Sequence, residues 1–99
     1  MSHLTTLAGK LKSLAHPVRL KIVILLAKEG EDMYLNQIAN KLEINRALAK
    51  IHLMKLERGG FVKSRVVLVK DEARALRYYK LQDFEIHVSP EILKKEKKN

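Results

Sequence analysis

Arg46 and Lys50 stand four residues apart in the stretch Leu35 to Val62, LNQIANKLEINRALAKIHLMKLERGGFV, so on a helix their cations share one face, a turn apart. A guanidinium presents a planar fork of donors that matches two adjacent acceptors, such as O6 and N7 of guanine. An ammonium reaches either a base edge or a phosphate. Ala47, Leu48 and Ile51 beside them have no hydrogen-bonding side chain. Facing a groove, they would touch thymine methyls or follow its shape; Leu48 can equally be the outer member of a core stripe. Phosphate contacts would come from the N–H groups at the start of the helix, next to Asn45, and from Lys55, Lys63, Arg65, Lys70, Arg74 and Arg77. This is the chemistry of holding double-stranded DNA.

The elements that must position these groups are legible around them. Leu35, Ile38, Ala39 and Leu42 recur at i, i+3, i+4 and i+7, the stripe of a short amphipathic helix, with Asn36 expected to cap it. Glu43 and Ile44 fill a turn, and Asn45 is placed to cap a second helix. Ala49, Leu53 and Leu56 face inward on that helix, and Gly59-Gly60 end it with a residue free to take positive φ. Two short helices joined by such a turn form a helix-turn-helix, expected here at about 36–59.

Charge supports the same reading. The chain has 99 residues and a formal charge of +9. From Ile44 to Lys70 seven basic residues face Glu57 alone. Surface lysines are ordinarily a solvated face, but here they concentrate on the elements that would enter a groove.

Before the motif, Leu4, Leu7, Leu11 and Leu14 are spaced three, four and three, a heptad-like seam on a first helix of about ten residues. That seam buries either in the chain's own core or on a second subunit. Pro17 suits the first position of a second helix, and Gly30 ends it. Val18, Ile22, Val23 and Leu26 make one stripe, while Leu20 and Ile24 fall outside it. Such a helix is expected to be buried on more than one side, between the first helix and the motif. Arg19 is expected in a structural ion pair or cap. Met33 to Leu35 can add a short strand.

After Gly60 the pattern turns extended. Phe61 to Lys70 and Ala75 to Leu81 read as two strands around a turn at Asp71-Glu72-Ala73-Arg74, a hairpin at about 61–82 with Tyr79 and Leu81 on one face. Val66 to Val69 is apolar on both faces, so it is either covered by a neighbour or a sticky patch. Ser89-Pro90-Glu91 begins a short last helix, about 89–97, followed by a lysine-rich tail.

These fragments together resemble a known family. Leu14-Ala15-His16-Pro17-x-Arg19-Leu20-x-Ile22, then IA-x-x-L-x-I-N and I-H-L-x-x-L-x-x-x-G-F-V, are similar to ArsR-type winged-helix transcriptional regulators from about Leu11 to Leu81. The resemblance implies a repressor that occupies promoter DNA. It also implies a dimer built by first and last helices, which would give Leu4, Leu7, Leu11, Ile92 and Leu93 a partner. Glu43 departs from the family, whose turn usually has Gly, and Leu48 and Ile51 stand where polar groups are more common. Family members sense metals through Cys on the motif's first helix or Asp, His and Glu on a C-terminal helix. This chain has no Cys, and 89–99 has no His. His52 reads as a packing group and His16 as a helix-junction residue. His3 and His87 belong to the two ends that would meet in a dimer, where imidazoles can hold nickel or zinc, but no metal sensing and no cofactor are expected.

The expectation is one domain over 1–99, mainly α with a small β-hairpin (α+β): a winged helix-turn-helix with helices at both termini forming a homodimer. The absence of Cys excludes disulfides and thiolate zinc sites. No signal peptide is read, and the longest apolar run, Ile22 to Ala27, is far below the roughly 20 residues that span a bilayer. A cytoplasmic, non-membrane protein follows. Ser2, Ser13, Ser64 and Ser89 stand in no nucleophile motif and no phosphate loop is present, so no catalytic residue and no enzyme is expected. Two other readings stay open: a protein-interaction winged helix in a transcription complex that uses Val66 to Val69, and a charge-driven binder of nucleic acid without sequence preference.

Overall fold

A computed structural model of the chain describes residues 3–71 and 74–95. Its elements run α1 (His3–Leu14), α2 (Pro17–Glu29), β1 (Met33–Tyr34), α3 (Leu35–Leu42), α4 (Arg46–Arg58), β2 (Val62–Val69), β3 (Arg74–Leu81) and α5 (Pro90–Lys95). Glu72 and Ala73 of the expected hairpin turn, and the chain beyond Lys95, lie outside the described residues. The strands form one antiparallel sheet in the order β1-β3-β2, with Val62 opposite Leu81 and Val69 opposite Arg74. The architecture is a winged helix-turn-helix.

The two apolar stripes of the motif meet in the core. Leu35, Ile38 and Ala39 of α3 and Ala49, Leu53 and Leu56 of α4 are buried with Ile22 and Leu26 of α2. Phe61, Val62 and Tyr79 close that core from the base of the hairpin. Chain reversals use local chemistry. Pro17 opens α2 behind His16, whose Nδ1 accepts the Val18 N–H at 3.1 Å. Gly30 ends α2 at φ 69. Gly60 turns the chain out of α4 at φ 82, whereas Gly59 has φ −80 and is small for another reason: a Cβ there would lie 2.6 Å from Ser13 Cβ on α1. Ser89 caps α5, accepting the Ile92 N–H at 3.1 Å.

Two expectations are corrected. Asn36 does not cap α3. The helix starts at Leu35, two residues before a cap at Asn36 would start it, and follows Tyr34, whose N–H donates to the Gln37 side-chain carbonyl at 3.0 Å. Leu20 and Ile24 are not buried on a second side of α2; they are 47% and 52% exposed. The reason is where α1 goes. It packs against α4, with Lys10 Nζ donating to the Gly59 carbonyl at 3.0 Å, so nothing among the described residues covers the outer side of α2. Arg19 makes the cap contact expected of it: its Nη1 donates to the carbonyls of Lys12 and Ser13 at the end of α1, at 3.2 and 2.9 Å.

The turn between α3 and α4 holds Glu43 at φ 54 and ψ 46, a left-handed conformation that costs a residue with a Cβ about 1–2 kcal/mol. Its N–H donates to the Asn40 carbonyl at 3.2 Å, and that of Ile44 to the Ala39 carbonyl at 3.0 Å. These bonds satisfy the last carbonyls of α3 and fix the angle at which α4 leaves.

Neither α1 nor α5 has a buried residue. Leu4, Leu11 and Leu93 are exposed, while Leu7 and Ile92 are half-buried. The radius of gyration is 16.0 Å, against roughly 13 Å for a compact chain of this size. Terminal helices and hairpin therefore project from the core.

Candidate nucleic-acid interface

Helix α4 is held by one face and presents the other. Ala49, His52, Leu53 and Leu56 are buried; Arg46, Ala47, Leu48, Lys50, Ile51, Met54, Lys55 and Arg58 are exposed. Asn45 caps the helix, its Oδ1 accepting the N–H groups of Ala47 at 2.7 Å and Leu48 at 3.3 Å. The positive end of the helix dipole therefore sits beside Arg46 and adds to its charge. Leu48 lies on the outer surface and not in the core stripe.

Arg46 is oriented from the motif's first helix. Its Nε donates to Asn36 Oδ1 at 2.8 Å, which leaves both Nη nitrogens of the fork for another acceptor. Local sequence pattern points to Asn36 as a cap and does not reveal its role beside Arg46, because the bond spans ten residues between two helices. Met54 is a second outward residue missing from the expected set. Its spacing from Ala47 and Ile51, i, i+4 and i+7, is the signal that could have found it.

The hairpin divides its basic residues between two faces, because side chains alternate along a strand. Arg77 shares a face with Ser64 and Val66, toward α4; its Nη1 donates to Ser64 Oγ at 3.0 Å, and Ser64 Oγ donates to Glu57 at 2.9 Å. Arg46, Lys50 and Arg77 line one cleft of about 220 Å³ between the start of α4 and the sheet, with Tyr34, Asn36 and Val66. Lys63 and Arg65 stand on the opposite face, opposite Lys80 and Tyr78 respectively. Arg65 is engaged there, with Nη1 2.6 Å from the Asp32 carboxylate and its guanidinium 5.1 Å from the Tyr78 ring centre. Lys70 and Arg74 flank the hairpin end beside Leu68 and Ala75. Lys55 lies on the other flank of α4, near Arg58, Lys12 and Arg19. One cleft thus collects three of the cations, and the rest surround it on separate surfaces.

Behind α4 the support is polar and buried. His52 Nδ1 accepts from Arg19 Nε at 3.3 Å, and the rings of His16 and His52 lie 4.4 Å apart. Burial lowers the His52 pKa from its ordinary value, and its neighbours His16, Arg19 and Lys55 lower it further. A neutral imidazole is what the geometry requires, since Nδ1 must keep its lone pair to accept from Arg19.

Among the described residues there is no cluster of three or more His, Asp or Glu that could hold a metal ion, and no helix is long and apolar enough to cross a membrane.

Comparison with known proteins gives this arrangement its family. The family described as "Helix-turn-helix domain" matches residues 14–65. An uncharacterized HTH-type transcriptional regulator of Methanocaldococcus jannaschii is 37% identical over 84 residues, 85% of this chain and 84% of that protein. The crystal structure of the transcriptional repressor PagR of Bacillus anthracis is similar with a TM-score of 0.64 at 30% identity, covering 95% of this chain and 92% of that one. A solution structure from Mycobacterium bovis, a homodimeric winged helix-turn-helix DNA-binding domain of a possible ArsR-family transcriptional regulator, has a TM-score of 0.64 at 29% identity. It covers 79% of this chain and 65% of that one.

Proposed function

The chain belongs to the ArsR-type winged helix-turn-helix transcriptional regulators, and on that premise we propose that it is a homodimeric, cytoplasmic repressor that occupies an operator through α4. Helix α4 enters the major groove with Arg46 on the N7 and O6 of a guanine and Lys50 on a base or phosphate one turn on. Arg77 holds a phosphate on the near side, where the positive end of the α4 dipole favours an anion. Lys55, Lys63, Lys70 and Arg74 add phosphate contacts from neighbouring surfaces, and Arg65 joins them if a phosphate displaces Asp32. The observation that carries this reading is the shared cleft of Arg46, Lys50 and Arg77 beside a capped helix start.

Pairing of two copies is supported by α1 and α5, whose Leu4, Leu7, Leu11, Ile92 and Leu93 are apolar and not buried within one chain. A two-fold dimer requires an inverted-repeat site with half-site centres about 34–36 Å apart or a multiple of that. Repression is then exclusion: a protein seated on promoter DNA blocks its other users.

Selection from a random duplex library at about 150 mM salt tests the proposal. A short inverted repeat bound at least about 10³-fold more tightly than bulk DNA is expected, and equal affinity for all sequences would rule it out. A protein-interaction role has one observation in its favour, the wing residue Leu68 at 79% exposure. In that reading the library returns no motif, and Leu68→Ser abolishes binding to a protein partner instead.

A further inference from the structure

The centre of the outward face of α4 is apolar. Ala47, Ile51 and Met54 follow one another at i, i+4 and i+7, on the side of the helix opposite the buried Ala49, Leu53 and Leu56. Ile51 is 51% and Met54 44% exposed. Cations border the stripe: Arg46 and Lys50 toward the wing, Lys55 on the other flank, and Arg58 at its end. An apolar ridge edged by positive charge complements a surface that is apolar along its floor and anionic along its rims. The major groove at thymines is such a surface, since the thymine C5-methyl is the one apolar group there and the phosphates lie on both sides.

We propose that Ala47, Ile51 and Met54 read thymine methyl groups, so that the half-site carries thymines under the middle of α4, next to the base pair contacted by Arg46. The inference rests on the DNA-binding reading above and adds the base class. The distance from Ala47 to Met54 is about 10 Å at 1.5 Å per residue, or about three steps of 3.4 Å along one strand, so two or three methyls fall within reach. Selectivity at these positions comes from shape and apolar contact. Discrimination by paired hydrogen bonds belongs to Arg46 alone.

The test uses the full chain and the duplex it selects. Each selected thymine is replaced in turn by deoxyuridine, which removes only the methyl, with flanking thymines as controls. Affinity should fall about fourfold for each methyl in contact, the equivalent of one buried methylene-sized group. In Ile51→Ser the loss at one of these positions should disappear while the others persist, with an unchanged salt slope; Met54→Ser should do the same at a neighbouring position. Thermal melting of both variants should match the parent, because both side chains project outward. A selected motif that binds equally well with uridine throughout overturns the inference and leaves the regulator reading standing. The inference is likewise overturned if Ile51→Ser breaks a protein oligomer in sedimentation without DNA, which would place another copy on this face. A library that yields no motif overturns both.

Discussion

Arg19 Nε donates to His52 Nδ1 at 3.3 Å, while Nη1 of the same guanidinium bonds the Lys12 and Ser13 carbonyls. A single buried cation on α2 thus joins the end of α1 to the inner side of α4. Its charge is balanced by the carbonyl end of α1 and an imidazole lone pair, with no carboxylate among these partners. Arg19→Met keeps the packing volume and removes every donor. It should lower stability by about 2–3 kcal/mol, since a buried acceptor left unsatisfied costs about 1–3 kcal/mol. Urea unfolding measures this directly, and a loss below about 0.5 kcal/mol would mean that the bond does not organise the helices.

His52 makes part of that stability dependent on pH. Its folded pKa lies below the ordinary value of 6.5, chiefly through burial, so the unfolded chain takes up its proton first. The contribution is fully present above about pH 6.5 and is lost as pH falls from there toward the lowered folded value. The groups facing it, His16, Arg19 and Lys55, all oppose its protonation. Unfolding midpoints should therefore decline between pH 7 and 5 more steeply in the parent than in His52→Gln, which keeps an acceptor but does not titrate. Parallel profiles would refute the assignment.

Much of this framework could be read from local pattern, because α3, α4 and the hairpin are built from it. The α3 and α4 stripes, the Asn45 and Ser89 caps, the Pro17 start and the turn at Gly60 each depend on residues within a few positions of one another. What could not be read depends on distance. Arg65 with Asp32, and Arg19 with His52, are each 33 residues apart. Periodicity marks Leu20 and Ile24 as apolar but cannot say whether this chain covers them. For the candidate site, a four-residue spacing is enough to put Arg46 and Lys50 on one face. The alternation of a strand already puts Lys63 and Arg65 on one face, but only the pairing of β2 with β3 shows that Arg77 lies on the other, toward α4.

Asn36 and Arg46 should behave as a positioning residue and the group it positions. Arg46→Ala should relax preference at one base pair of the half-site, by about 1–3 kcal/mol of discrimination. Asn36→Ala should weaken preference at that same base pair by a smaller factor, because the fork survives but loses its 2.8 Å anchor. Lys63→Ala, on the far face of the hairpin, should weaken all sequences alike and reduce the salt slope by about one unit. Competition binding with single-base operator variants at several salt concentrations separates these outcomes. If Arg46→Ala and Lys63→Ala act alike, Arg46 reads no base.

Two turn positions should respond in opposite directions. Glu43 occupies a left-handed conformation at φ 54 that glycine adopts without steric cost, so Glu43→Gly should raise stability by about 0.5–1 kcal/mol after the added chain entropy of glycine is counted. Gly59 has an ordinary φ but no room, with Ser13 Cβ at 2.6 Å and the Phe61 ring at 2.9 Å from where a Cβ would lie. Gly59→Ala must push α1 away from the end of α4 and should lower stability by about 1–3 kcal/mol. Because α1 also carries Leu4, Leu7 and Leu11, that displacement should weaken dimerisation as well, whereas Glu43→Gly should leave it unchanged. Denaturant unfolding and sedimentation equilibrium on the two variants check both effects. A Gly59→Ala protein as stable as the parent would show that the two helix ends are not in contact.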